Sequence, residues 1–145
     1  MEAKKLDGKA CANSVEESLI PRISVCVEQG VVPHLAVIIV GNDPASHVYV
    51  GAKIRACKRL GIKSTHIELP ENSDEDELIN IVKQLNKDDT VHGILIQSPL
   101  PNNMDEEGLT DLISPKKDVD GFHPVNLGRL VQGRTDGLIP CTPNG

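Results

Sequence analysis

LAVIIV, residues 35–40, is a continuous apolar run rich in β-branched side chains, and it breaks off at Gly41-Asn42-Asp43-Pro44. A run of this kind, closed by a turn, is the pattern of a strand covered on both faces in a parallel sheet. Beyond the turn the sequence predicts a helix over about residues 45–60, stopped by Gly61, and then a weaker strand around residues 62–69. That completes one βαβ unit, and it sets the expectation of an α/β fold, a layered α/β/α domain with a mainly parallel sheet.

Working outward, Cys11, Val15, Leu19, Ile23 and Val27 recur every four positions and mark one face of a helix over about residues 8–28. Pro21 either kinks that helix or divides it in two, and Gly30 is a plausible stop. On the other side, Asp74 and Glu77 form a capping-box-like pair ahead of Leu78, Ile81, Val82 and Leu85, the buried stripe of another helix. The acidic run 74–77 complements that helix's dipole. A third strand, residues 91–97, ends at Ser98-Pro99-Leu100-Pro101, where two prolines forbid both ladder and helix. After a short helix near residues 104–112, the stretch 115–145 reads mostly as loop, with a short apolar-patterned piece at 126–131.

The 145 residues have the length and balance of one soluble domain, and a net charge of −6 argues against a binder of nucleic-acid phosphates. One tyrosine and one phenylalanine leave no base-stacking platform. Cys11, Cys26, Cys57 and Cys141 show neither a CxxC pair nor a histidine at ligand spacing, so no metal is expected, and buried thiols in a reducing compartment fit better. The start MEAKKLDGK lacks the apolar core of a signal peptide, and no apolar run approaches the ~20 residues of a membrane span. The expected location is cytoplasmic, with an organellar form also compatible, and no membrane or nucleic-acid partner is expected.

In open α/β sheets ligands bind beyond the carboxyl ends of the strands. Three segments are expected to converge there: the turn after Val40 with its helix, the end Gln97-Ser98-Pro99, and the loop carrying Asp118 and Asp120. Tyr49 and Lys53 stand four apart on one helix face, with Ser46 a turn earlier. Lys53 is either a surface lysine whose stem covers the tyrosine ring, or a lysine in a cleft, where loss of water favours the neutral amine and makes a general acid or base. Gln97 can hold such a lysine through its amide or simply satisfy backbone. In Lys117-Asp118-Val119-Asp120-Gly121 the two carboxylates suit an Asx-type turn, a cation site or an acceptor for a ligand, and the residues that follow supply too few side-chain oxygens for calcium. His123 reads as structural. Neither GxGxxG nor GxxxxGK[ST] occurs, so the chain is not expected to bind a dinucleotide by itself. The last five residues, CTPNG, carry a helix-start signal with no helix after it, which suggests that the natural protein continues.

Four segments taken in order, VGNDPASHVYVGAKIRACKRLGI, HGILIQSPLP, PKKDVDGFHPVNLGRL and PCTPNG, resemble the signatures of the bifunctional methylenetetrahydrofolate dehydrogenase/methenyltetrahydrofolate cyclohydrolase family. The resemblance implies that Tyr49 packs its ring on the folate, that Lys53 is the catalytic acid/base, that Gln97 orients it, and that Asp120 hydrogen-bonds the pterin, with Asp118 structural. It extends the folate contacts to Val50, Gly51 and Ala52 on the helix and to Ile96, Ser98 and Pro99 at the strand end. Ser98 departs from the leucine usual in the family. The resemblance further implies that residues 1–145 are the folate-binding catalytic domain, with a tetrahydrofolate derivative as substrate. It places NADP, or sometimes NAD, on a second, Rossmann domain beyond Gly145 that also supplies much of a homodimer contact, so this chain alone lacks dehydrogenase activity. The rival reading is a noncatalytic α/β binding or interaction module in which Tyr49 and Lys53 form a solvated face.

Overall fold

The computed structural model describes residues 7–141. Three parallel strands, β1 (His34–Val40), β2 (Lys63–Leu69) and β3 (Gly93–Ile96), lie in the order β2-β1-β3. The apolar run that opened the reading is therefore the central strand, and Ala36 to Val40 are all buried. Helices cover both faces, as expected for parallel strands joined by crossovers. On one face α3 (Glu75–Lys87) and α4 (Glu106–Leu112) seal Ile38, Ile94, Leu78, Val82 and Leu109 into the larger apolar cluster. On the other, α2 (Pro44–Leu60) sets Val50 and Ile54 against Val37, Ile39 and Leu95. The two outer strands differ as their sequences do, because β2 mixes exposed and half-buried residues and buries only its last, Leu69, while β3 is buried up to its last residue.

Local chemistry sets the ends of α2. The Asp43 carboxylate accepts from Ser46 N–H at 2.7 Å, Pro44 occupies the first turn where its missing N–H costs nothing, and Gly61 closes the helix at φ +74°. The Ser46 hydrogen bonds hold the Asp43 carboxyl below its ordinary value.

Several expectations are corrected. α1 (Gly8–Glu28) runs unbroken through Pro21, where the carbonyl that loses its partner belongs to exposed Glu17 and can be served by water. The helix falls where the four-residue stripe placed it, and along that face Leu19 and Ile23 are half-buried beside α2 while Val15 and Val27 are exposed. The capping box at Asp74 does not form. Asp74 makes no side-chain cap, and Glu77 N–H donates to the Asp74 carbonyl instead, at 3.0 Å. The patterned piece at 126–131 is the core of a real helix, α5 (Pro124–Val131), started by proline at its first position and by His123 Nδ1 accepting from Val125 N–H at 3.1 Å. Of the thiols expected to be buried, Cys57 is, and its burial pushes the thiol up from its ordinary value; Cys11 and Cys141 are exposed. The helix-start signal at the last residues lies outside the described residues. Among the described residues no helix is long and apolar enough to cross a membrane.

Candidate functional site

Register decides where the site can form. Ile96 at the end of β3 stands opposite Ile38, while β1 continues to Val40, so Gln97 and Ser98 leave the sheet level with the middle of β1. The chain there lies along α2, with the Ser98 carbonyl within reach of Ser46 in its first turn. Strand alternation then sorts the side chains: Leu95 faces α2 while Ile94 and Ile96 face α3, which turns Gln97 toward α2. Lys53, one turn after Val50, meets it there, with Nζ donating to Gln97 Oε1 at 2.9 Å.

The loop after α4 completes the arrangement. It runs beside β3 as a one-residue bridge between Ile94 and Asp118, with Ile94 N–H donating to the Lys117 carbonyl at 2.7 Å. Gly93 permits this approach, since a Cβ there would stand 2.5 Å from Val119 Cγ1. Asp118 is buried and fully engaged, accepting from Gly121 N–H at 3.0 Å and from His123 N–H and Asn126 Nδ2 at 2.9 Å each. It organises the turn and has little left for a ligand. Gly121 is held at φ +73° with Pro140 N only 2.7 Å from where a Cβ would be, so backbone conformation and space both demand glycine. Asp120 is left half-buried near Lys53. Its carboxyl is raised above its ordinary value, by burial foremost, with the Asp118 carboxylate adding to the rise and the Lys53 ammonium opposing it.

Lys53, Gln97 and Asp120 are thus brought together from a helix, a strand end and a loop. Tyr49, one turn before Lys53, lies 62% exposed with its ring on the outside of α2. Gly51 is half-buried and Ala52 exposed, while Ser98 and Pro99 are exposed at the strand end. Two of the expected contact residues are committed elsewhere: Val50 is 1% exposed in the α2-side core, and Ile96 packs toward α3.

A concavity of about 460 Å³ does lie at the carboxyl ends of the strands, lined by residues that include Gly41, Asp43, Glu71 and Asn102. It shares only Pro99 with the expected contacts, so the lysine-bearing site, at the carboxyl end of β3 beside α2, lies apart from this concavity. Sequence reading did not single out Glu106. Its carboxylate accepts from the Ser98 hydroxyl and from Leu100 N–H, and no periodicity or motif marks that pairing.

At the turn from β1 into α2 the Asp43 carboxylate accepts from Ser46 N–H, so an anion at this helix start would meet a like charge.

Residues 6–120 match the family model for the tetrahydrofolate dehydrogenase/cyclohydrolase catalytic domain. Among curated proteins, the chain is 50% identical over 144 residues to bifunctional protein FolD 2 of Rhizorhabdus wittichii, covering 99% of this chain and 48% of that one. It is also 50% identical over 145 residues to bifunctional protein FolD of Acetivibrio thermocellus, covering all of this chain and 50% of that one. Among solved structures, the bifunctional enzyme FolD of Campylobacter jejuni superposes with a TM-score of 0.93 at 44% identity over 95% of this chain and 49% of its own. The Trypanosoma brucei methylenetetrahydrofolate dehydrogenase-cyclohydrolase, solved with NADP and an inhibitor, gives 0.92 at 33% identity over 99% and 50%. The chain spans about half the length of the curated relatives it matches.

Proposed function

The chain belongs to the tetrahydrofolate dehydrogenase/cyclohydrolase family, and on that premise we propose that residues 1–145 are the folate-binding catalytic half of a bifunctional one-carbon enzyme. The whole enzyme oxidises 5,10-methylenetetrahydrofolate to the methenyl form with NADP and hydrolyses the latter to 10-formyltetrahydrofolate. NADP is held by residues outside this chain, in a second domain, and the enzyme acts as a homodimer in the cytoplasm.

One observation carries the reading. Lys53 and Gln97 lie 2.9 Å apart at the edge of a core, with Asp120 alongside and an exposed tyrosine a turn away, whereas a noncatalytic module with a solvated lysine face has no need of that pairing. In the hydrolytic step water adds to the methenyl carbon of an amidinium-like cation, the bond from that carbon to a ring nitrogen breaks, and the oxygen gives up both its protons, one to solvent as the formyl carbonyl forms and one that passes to the ring nitrogen. Lys53 is the group that takes and returns it. The substrate's positive charge and the exclusion of water both favour the neutral amine in the complex. Gln97 is suited to holding either state of the lysine in place, since its amide can accept from an ammonium or an amine. Asp120 offers its carboxyl to the donor edge of the pterin, and Tyr49 supplies the ring face on which the pterin lies.

Calorimetry with 5,10-methenyltetrahydrofolate tests this on the 145-residue chain beside Tyr49→Ala. The variant should bind about tenfold more weakly, the scale of one lost ring contact. Absence of binding both here and in a chain extended to the relatives' full length would overturn the proposal.

A further inference from the structure

The two ends of the Gln97 amide are not interchangeable. Oε1 accepts from Lys53 Nζ at 2.9 Å, and Nε2 donates to the Ser98 carbonyl at 2.8 Å. An ammonium only donates and a peptide carbonyl only accepts, so a flipped amide would oppose donor to donor and acceptor to acceptor. Which end faces Lys53 therefore depends on where the Ser98 carbonyl is held.

Two groups hold it. From the α2 side the buried Ser46 hydroxyl donates to that carbonyl at 3.3 Å. From the α4 side, one Glu106 carboxylate oxygen accepts from the Ser98 hydroxyl and the other from Leu100 N–H at 3.3 Å. Pro99 between them has no N–H, so a single carboxylate bridges the two donors that flank it. Glu106 is itself anchored, as the first residue of a helix whose cap residue Asp105 donates its N–H to Glu75 Oε1 of α3 at 2.6 Å.

We propose that Glu106 is a positioning residue for the Lys53–Gln97 pair: by clamping Ser98 and Leu100 it fixes the carbonyl that orients the Gln97 amide. Its value for catalysis rests on the folate reading above, whereas the clamp is a property of the chain alone. It depends on the hydroxyl at position 98, because a leucine there has nothing to donate.

Nuclear magnetic resonance of the Gln97 side-chain amide in the 145-residue chain reads the clamp without any ligand. In Glu106→Ala and in Ser98→Ala the amide protons should exchange with solvent about tenfold faster and their two resonances should draw together toward those of a free amide. Ser98→Thr and Glu106→Gln keep a donor and an acceptor in place and should restore the native signals. Both positions are exposed, so thermal midpoints should hardly move. If Glu106→Ala fails to fold, Ser98→Ala decides. Unchanged Gln97 signals in the folded alanine variants would overturn the clamp even if wild type binds methenyltetrahydrofolate. Native-like dependence of the amide on Glu106, with no folate bound either by this chain or by one extended to the relatives' full length, would uphold the clamp and defeat the functional reading.

Discussion

The two faces of the sheet divide the work of the molecule. Among the described residues, twelve buried ones form an apolar cluster toward α3 and α4, whereas toward α2 four do, and that thinner layer is bordered by Lys53, Gln97, Asp118 and Asp120. An ionisable group in a thick dry core gives up its charge unless it is paired and hydrogen-bonded there. The thick side can therefore supply most of the stability, leaving the thin side free to hold groups that must meet a ligand and exchange protons.

The sharpest way to break this contrast is Lys53→Gln in a chain carrying both halves of the enzyme. Cyclohydrolase turnover should fall about 10²- to 10⁴-fold, the usual worth of a positioned acid/base, while the denaturation midpoint stays at the wild-type value. Wild-type turnover would remove the chemical role from the α2 side. The complementary variant is Leu78→Ala, which empties a fully buried site on the α3 side. It should cost about 2–5 kcal/mol in urea unfolding, with methenyltetrahydrofolate affinity of the folded chain unchanged. A loss below ~1 kcal/mol would mean that the larger cluster is not the main source of stability.

Two smaller effects sharpen the picture on the α2 side. Arg59 and Glu16 join α2 to α1 across a 2.5 Å contact between partly exposed side chains, and Glu16→Ala should cost no more than ~1 kcal/mol, less at high salt. A larger loss would make α1 a structural partner of the thin layer rather than a loosely attached helix. The last effect is a slope rather than a midpoint. Because burial raises the Asp120 carboxyl above its ordinary 3.8, the folded chain keeps a proton that the unfolded chain has already released. This residue's contribution to stability therefore falls as pH climbs from the ordinary value through the raised one. Asp120→Asn should abolish that fall, being more stable than wild type at about pH 7 relative to the difference at about pH 3 in urea titrations. An equal difference at both pH values would mean that Asp120 is not held in a desolvated position.

Much of the fold is legible in the sequence because its signals are local. The run 35–40 is apolar at every position, so only a central strand suits it, and Asp43, Pro44 and Gly61 mark the ends of α2 by chemistry that acts within one turn. The amphipathic stripe of α3 likewise appears as the buried pair Leu78 and Val82. The equally regular stripe of α1 marks the helix correctly yet holds no buried residue, since periodicity says which residues share a face but not whether another element covers it. The Asp74 cap fails for a related reason: spacing permits the bond, but the backbone carbonyl of Asp74 takes Glu77 N–H instead.

For the site, the sequence by itself determines which side chains are available: one tyrosine and one lysine a turn apart, a glutamine closing an apolar strand, and two aspartates before a glycine. Their meeting is decided by the tertiary structure. Gln97 reaches Lys53, 44 residues earlier, because β3 stops opposite Ile38 and strand alternation turns its next side chain toward α2. Asp120 comes near because Gly93 lets Val119 pack against β3, and Asp118 spends both carboxylate oxygens on its own turn. The Glu106 clamp is further still from what a linear reading can yield, since it joins a helix start to a strand end through a hydroxyl and a backbone amide. Helix and strand patterns follow from forces between residues a few positions apart; register, alternation and these bonds depend on where distant segments come to rest.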